Sequence, residues 1–105
     1  MTDAQLREIL KCDLEILGTH KNTYLDHLIQ VAKLEIEKEG ITLTDTVADG
    51  HLVIMYAAWL YRKRAAEASG QRSGAGDGTA MPRMLRWALN QRLFGKKEQV
   101  TENAT

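Results

Sequence analysis

The stretch LVIMYAAWLYRKR, which spans Leu52–Arg64, decides the fold of this chain. Its first ten residues are almost wholly apolar, and three cations follow them directly. A helix that is apolar on every side is usually buried at the centre of a fold, and cations suit the negative C-terminal end of a helix dipole. We therefore predict a central helix that is capped by Thr44 or Thr46 and runs to about Ala68. An apolar run of ten residues is half the length that spans a bilayer, so we expect no membrane partner.

A first helix is predicted near the N-terminus. Thr2 and Gln5 have the spacing of a capping box, and an apolar stripe at helical spacing continues from there to Leu17. Gly18 can end this helix, and a break near Cys12–Leu14 is the alternative.

The second and fourth helices have start and stop signals of their own. Thr23 with Asp26 can cap the second helix, and Gly40 follows it as a C-terminal stop. The fourth helix is predicted to start at Pro82, whose fixed φ suits the first helical position, and to end at Gly95.

We predict an all-α fold, a small bundle of about four helices with one core, which is what 105 residues support. The glycine-rich segment Glu67–Ala80 is expected to be a long mobile loop before the last helix. Residues 1–95 form the single domain, and residues 96–105 a flexible, disordered polar tail. The predicted core consists of Leu28, Ile29, Leu52, Met55, Tyr56, Trp59, Leu85 and Leu89.

Charge is distributed unevenly along the chain. Residues 1–50 carry a net charge of −5 and residues 51–105 a net charge of +5, although the total is zero. The two signs can mark a head-to-tail contact between copies, a basic face for an acidic partner, or two solvated faces that simply differ.

Cations of the third and fourth helices form a candidate patch. They can contact nucleic-acid phosphates, pair with an acidic protein surface, or form a plain solvated rim. The acidic half of a neighbouring copy could supply such an acidic surface. Trp59 is assigned to the core, and Trp87 is open between core and interface. The hypothetical interface residues are Arg62, Lys63, Arg64, Arg83, Arg86, Trp87 and Arg92, and the hypothetical acidic counter-face is Glu35, Glu37 and Glu39.

The sequence contains no recognisable catalytic constellation. His20, His27 and His51 lack the i, i+4 spacing of a helical metal site, and Cys12 has no partner cysteine. The glycines follow no strand and match no phosphate loop. We therefore expect no catalytic residues, no cofactor and no metal. The polar start of the chain and its single cysteine favour synthesis in the cytosol.

The order of segments resembles the head–tail connector (adaptor) proteins of tailed bacteriophages, particularly those of Gram-positive hosts. The likeness covers roughly residues 5–94. It is carried by a helix that ends in EKEGITL, by the run Asp49–Arg64, and by MPRMLRWALNQRLF at Met81–Phe94.

This resemblance implies a non-enzymatic virion protein that is made in the host cytoplasm. Copies would form a ring, commonly twelvefold, beneath the portal vertex. The ring would extend the DNA channel without specific DNA binding and would dock stopper or tail proteins after packaging. The alternative is a small helical nucleic-acid-binding regulator that uses the basic second half. Against it, the 14-residue segment Glu67–Ala80 replaces the tight turn of a helix-turn-helix. An enzyme subunit is the least favoured class.

Overall fold

The computed structural model describes residues 1–68 and 80–104, and side chains as far as Phe94. Four α-helices and no strand occur in these ranges: α1 Asp3–Leu14, α2 Asn22–Lys38, α3 Val47–Ala68 and α4 Arg83–Ala104. The predicted all-α class is confirmed, and the third helix extends to Ala68, the last described residue before the gap. Most of the predicted loop, residues 69–79, lies outside the described residues. None of the helices in the described ranges combines the length and apolar character that a bilayer crossing needs.

The central position predicted for α3 is confirmed. This helix packs on all three others, and most extensively on α2. Ala57 and Ala58 are buried and, being small, let the neighbouring helices approach closely. Of the eight predicted core residues, six are buried. Met55 and Trp59 are only partly buried, and pack against the edge of the core.

The start of α1 follows the predicted capping box. The amide of Gln5 donates to Thr2 Oγ1 (3.1 Å), and the amide of Thr2 donates to Gln5 Oε1 (2.8 Å). These reciprocal bonds satisfy donors that a helix N-terminus otherwise leaves open.

The expected end of α1 at Gly18 is wrong. The helix stops at Leu14, inside the alternative break, because Glu15 adopts the left-handed conformation with φ 58°. The amide of Ile16 then closes the helix by donating to the carbonyl of Lys11 (2.9 Å). Leu17 consequently leaves the apolar stripe and is 87% exposed.

The predicted cap of α2 is also wrong. The helix begins at Asn22, one residue before Thr23, and its N-cap Lys21 makes no side-chain capping bond. Asp26 instead accepts hydrogen bonds from Arg7 of α1. The predicted stop is confirmed, since α2 ends at Lys38 and Gly40 turns the chain with φ +102°.

The last two helices differ in how well their ends were predicted. Thr46 caps α3, as its Oγ1 accepts from the amide of Asp49 at 3.2 Å. α4 begins at Arg83, one residue after the predicted start at Pro82. The predicted end of α4 at Gly95 is wrong, because the helix continues to Ala104. Glycine lowers helix propensity by only about 1 kcal/mol and does not by itself break a helix. The flexibility of residues 96–105 in solution stays a prediction.

Candidate interface on the fourth helix

Three cations from the basic half of the chain pair with acids from the acidic half of the same chain. Each pair joins residues that are more than forty positions apart, so each ties one helix or connection to another. The charge asymmetry is thus partly neutralised within one molecule. The three pairs are Arg62 with Asp13 (3.4 Å), Arg86 with Glu39, and Arg92 with Asp49 (2.8 Å).

The pair of Asp49 and Arg92 is the most buried. Asp49 is 2% exposed. One carboxylate oxygen accepts from Arg92 Nε (2.8 Å), and the other accepts from the amide and hydroxyl of Thr44 (both 2.8 Å). Arg92 also donates to the carbonyl of Thr42 at 2.7 Å. A buried carboxylate is tolerated when its lone pairs are satisfied in this way.

The pKa of Asp49 reflects two opposing effects. Burial alone would raise it, but the hydrogen bonds from Arg92 and Thr44 together outweigh burial and lower the pKa below its ordinary value. The hydrogen bond to Asp49 in turn raises the pKa of Arg92. Both groups are therefore charged at neutral pH.

These contacts hold α4 against the rest of the molecule. Leu85 and Leu89 are buried on its inner face, and Arg92 lies on the same side. Arg86 reaches the end of α2 at Glu39. Apolar contacts and ion pairs therefore act together along α4. These contacts within one molecule fix which side of α4 is buried and which side faces outward.

The outer face of α4 carries an apolar stripe. Met84 is 66% exposed, Trp87 59% and Phe94 51%. At 100° per residue these three side chains fall within one sector, opposite the buried leucines. Arg83 lies beside them, is exposed, and has no carboxylate partner among the described residues. We call Arg83, Met84, Trp87 and Phe94 the outer face of α4.

The remaining predicted basic residues do not join this face as one patch. Lys63 Nζ lies 5.2 Å from the centre of the Trp59 ring, a cation–π contact within α3. Arg64 is exposed and has no acidic partner among the described residues. Trp59 also packs edge-on against Tyr56, with ring centres 5.4 Å apart. The interface role of the seven predicted residues stays a prediction.

The three acidic residues of the predicted counter-face also differ in whether they are ion-paired within the chain. Glu35 pairs with Lys38 of its own helix at 3.2 Å, and Glu39 pairs with Arg86. Glu37 is exposed and has no cationic partner in the described part of the chain. Of these three acids, only Glu37 is therefore free of an ion pair.

Sequence reasoning missed two members of the outer face. Met84 and Phe94 are absent from the interface residues predicted from the sequence, and Leu93 rather than Phe94 packs against the core. The signal was present, because both recur with Trp87 opposite the buried positions when α4 is drawn as a helical wheel. The sequence analysis also does not identify Asp49 as the partner of Arg92.

Other sites in the described residues are less developed. No group of three or more His, Cys, Asp or Glu side chains converges there in a way that could hold a metal ion. A cavity of about 430 Å³ opens beside Leu6, Leu43 and Val53. Of its charged lining residues, Lys33 pairs with Asp3, Asp49 with Arg92 and Asp45 with the N-terminal amine, whereas Glu37 has no cationic partner among the described residues.

Comparisons of the chain with models of protein families, with curated proteins and with solved structures find no match. Function is therefore inferred from the geometry described above and from the resemblance of the sequence segments.

Proposed function

We propose that this chain is a structural assembly protein of the phage head–tail connector class. In this proposal copies form a ring between the portal vertex and the tail, extend the DNA channel, and dock stopper or tail proteins after packaging. The chain would be part of the virion at the head–tail interface. The observation that carries the proposal is the outer face of α4, a tryptophan-centred apolar surface on a helix whose orientation its own chain determines.

Such a surface favours protein binding. Large exposed apolar residues that cluster on one face mark interaction sites, and Trp and Arg are enriched among the residues that dominate binding energy. Trp87 and Arg83 are one helical turn apart on this face. The same segment, Met81–Phe94, is one of the three that carry the resemblance to connectors.

The internal ion pairs change how copies are expected to meet. A ring requires two different surfaces on each copy. Arg62, Arg86 and Arg92 could serve as one of these surfaces only by leaving acids of their own chain. A contact between copies should therefore depend on apolar surface and on the cations that have no intrachain partner.

The same pairs weaken the nucleic-acid-binding alternative. Binding to phosphates requires cations that are free to approach the backbone of DNA or RNA. Among the described cations of the second half, only Arg64 and Arg83 are exposed without a partner among the described residues.

The test is deletion of the gene from the phage or prophage that encodes it, followed by electron microscopy of the particles. The proposal expects DNA-filled heads and separate tails that do not join, and joined virions on complementation with the parent gene. Normal virions without the gene would refute the proposal. In parallel, light scattering of the purified chain should be unchanged by duplex DNA. A DNA complex that forms at low salt and dissociates at high salt would favour the alternative.

A further inference from the structure

We infer that the outer face of α4 binds an acidic amphipathic helix of a partner protein. This inference rests on the proposed assembly function and names the chemistry of the partner. It follows from three features of the face: its shape, its spacing and its charge.

The shape of the face favours a helical partner. A strand could extend this fold only at a sheet edge, and the described residues contain no strand. What α4 presents is a ridge of side chains on a regular helix. Such ridges pack into the grooves of a second helix.

The spacing of the face sets the length of the contact. Met84 and Trp87 are one turn apart, and Phe94 follows two turns later. At 1.5 Å per residue the three side chains extend over about 15 Å of helix axis. A partner helix of about three turns therefore covers them, with apolar residues of its own at i, i+3 or i+4, and i+7. Gln91 and Asn90, both exposed, lie between the anchors and can satisfy polar groups of the partner.

The charge of the face selects an acidic partner. Residues 78–97 contain five cations and no Asp or Glu, but two of these cations, Arg86 and Arg92, are paired with acids of the same chain. Arg83 is exposed and free of intrachain carboxylates in the described structure. It also stands at the N-terminus of α4, where the helix dipole is positive. Acidic residues that flank the apolar stripe of the partner would be attracted by Arg83 and by the positive end of the α4 dipole, and basic residues would be repelled.

A lipid surface is the competing occupant, and it fits less well. Helices that lie in a membrane interface combine a broad apolar face with a strongly cationic polar face. The opposite face of α4 is instead buried against α3, with Leu85 and Leu89 in the core. Only three large apolar side chains remain outward over three turns.

The experiment titrates the full chain against a fluorescein-labelled synthetic helix and follows anisotropy. The probe is about three heptads long, with leucine at the core positions and glutamate at the flanking positions. A second probe has lysine in place of glutamate. The variants are Trp87→Ala and the double change Arg83→Glu with Trp87→Ala. The control is Leu34→Ala with Lys38→Glu, which also removes an exposed apolar side chain and inverts a cation at i, i+4 spacing, on α2, where Lys38 pairs with Glu35.

The glutamate probe is expected to bind the parent and the α2 control equally. Trp87→Ala should weaken it about 30-fold, the loss that truncation of a hot-spot residue brings. The double change on α4 should weaken it further, and the lysine probe should bind the parent about tenfold less well. Far-UV circular dichroism must show that both α4 variants keep the parent's helix content.

Three outcomes overturn the inference. They are no binding of the glutamate probe, equal losses on α2 and α4, and equal binding of the lysine probe. Vesicles of anionic phospholipid test the competing occupant. If the chain sedimented with these vesicles but did not bind the glutamate probe, the membrane would be the occupant instead. Failure in these titrations leaves the gene-deletion result untouched, so it is distinguishable from failure of the proposed function.

Discussion

Removal of Arg92 should reveal how much of the stability of this fold depends on one buried carboxylate. In Arg92→Met the apolar part of the side chain is largely kept and the charge is lost. Asp49, which is 2% exposed in the parent, then keeps the hydrogen bonds from Thr44 but has no cation beside it. Breaking a buried ion pair by removing one partner costs about 3–5 kcal/mol. The lower end of this range applies, because Thr44 still satisfies one carboxylate oxygen.

A loss of about 3 kcal/mol corresponds to a fall in Tm of roughly 12–20 °C for a domain of this size. The matched control is Arg62→Met, which breaks an ion pair whose two side chains are 60% and 49% exposed. Exposed pairs contribute about 0–1 kcal/mol, so this variant should melt close to the parent. The assay is thermal and urea unfolding followed by circular dichroism.

The pH dependence provides a second and sharper readout. In the parent, the pKa of Asp49 lies below its ordinary value of 3.8 in the folded state. Its contribution to stability is therefore fully present above about pH 4 and is lost as the pH falls through the folded pKa. In Arg92→Met the main cause of the lowered pKa is gone, while burial still raises it. Protonation of Asp49 should then remove the uncompensated buried charge of the variant. The difference in unfolding free energy between the variant and the parent should therefore be smaller at pH 4 than at pH 7.

Adding Asp49→Asn to Arg92→Met tests the same reasoning at pH 7. The double variant leaves no buried charge, so it should be more stable than Arg92→Met alone. The reasoning would be refuted if Arg92→Met had the same Tm as Arg62→Met, or if its loss of stability relative to the parent were the same at pH 7 and pH 4.

Three further predictions concern packing and the chain ends. Trp59→Ala should lower the free energy of unfolding by about 2–3 kcal/mol, because the indole packs against the core. Trp87→Ala should change it by less than about 0.5 kcal/mol, because this side chain is exposed. Urea titrations of the two variants compare them directly. Gly40→Ala should destabilise by at least about 1 kcal/mol because its φ of +102° strains any side chain, and a Tm equal to the parent's would contradict this reading. Deletion of residues 96–105 should leave cooperative thermal unfolding in place; a broad, non-cooperative melt would show that the end of α4 stabilises the fold.

The candidate site was predictable only in part. Trp87 and the arginines were visible in the sequence, and the spacing of apolar residues placed them on a short helix. Which arginines remain available was not visible, because the acids that engage them lie 43–49 positions away along the chain. A residue's local pattern shows which side of a helix it occupies, but not what stands opposite that side.

The sequence alone determined the four helices, the central place of α3, the capping box at Thr2, and the turn at Gly40. Each of these depends on residues within one or two turns of one another, so local periodicity and capping rules suffice. Only the tertiary structure decided that Arg92 meets Asp49, and that Trp87, which the sequence left open between core and interface, faces outward. These outcomes depend on how helices distant in sequence pack together, and that packing is set by the shape of the shared core rather than by any one segment.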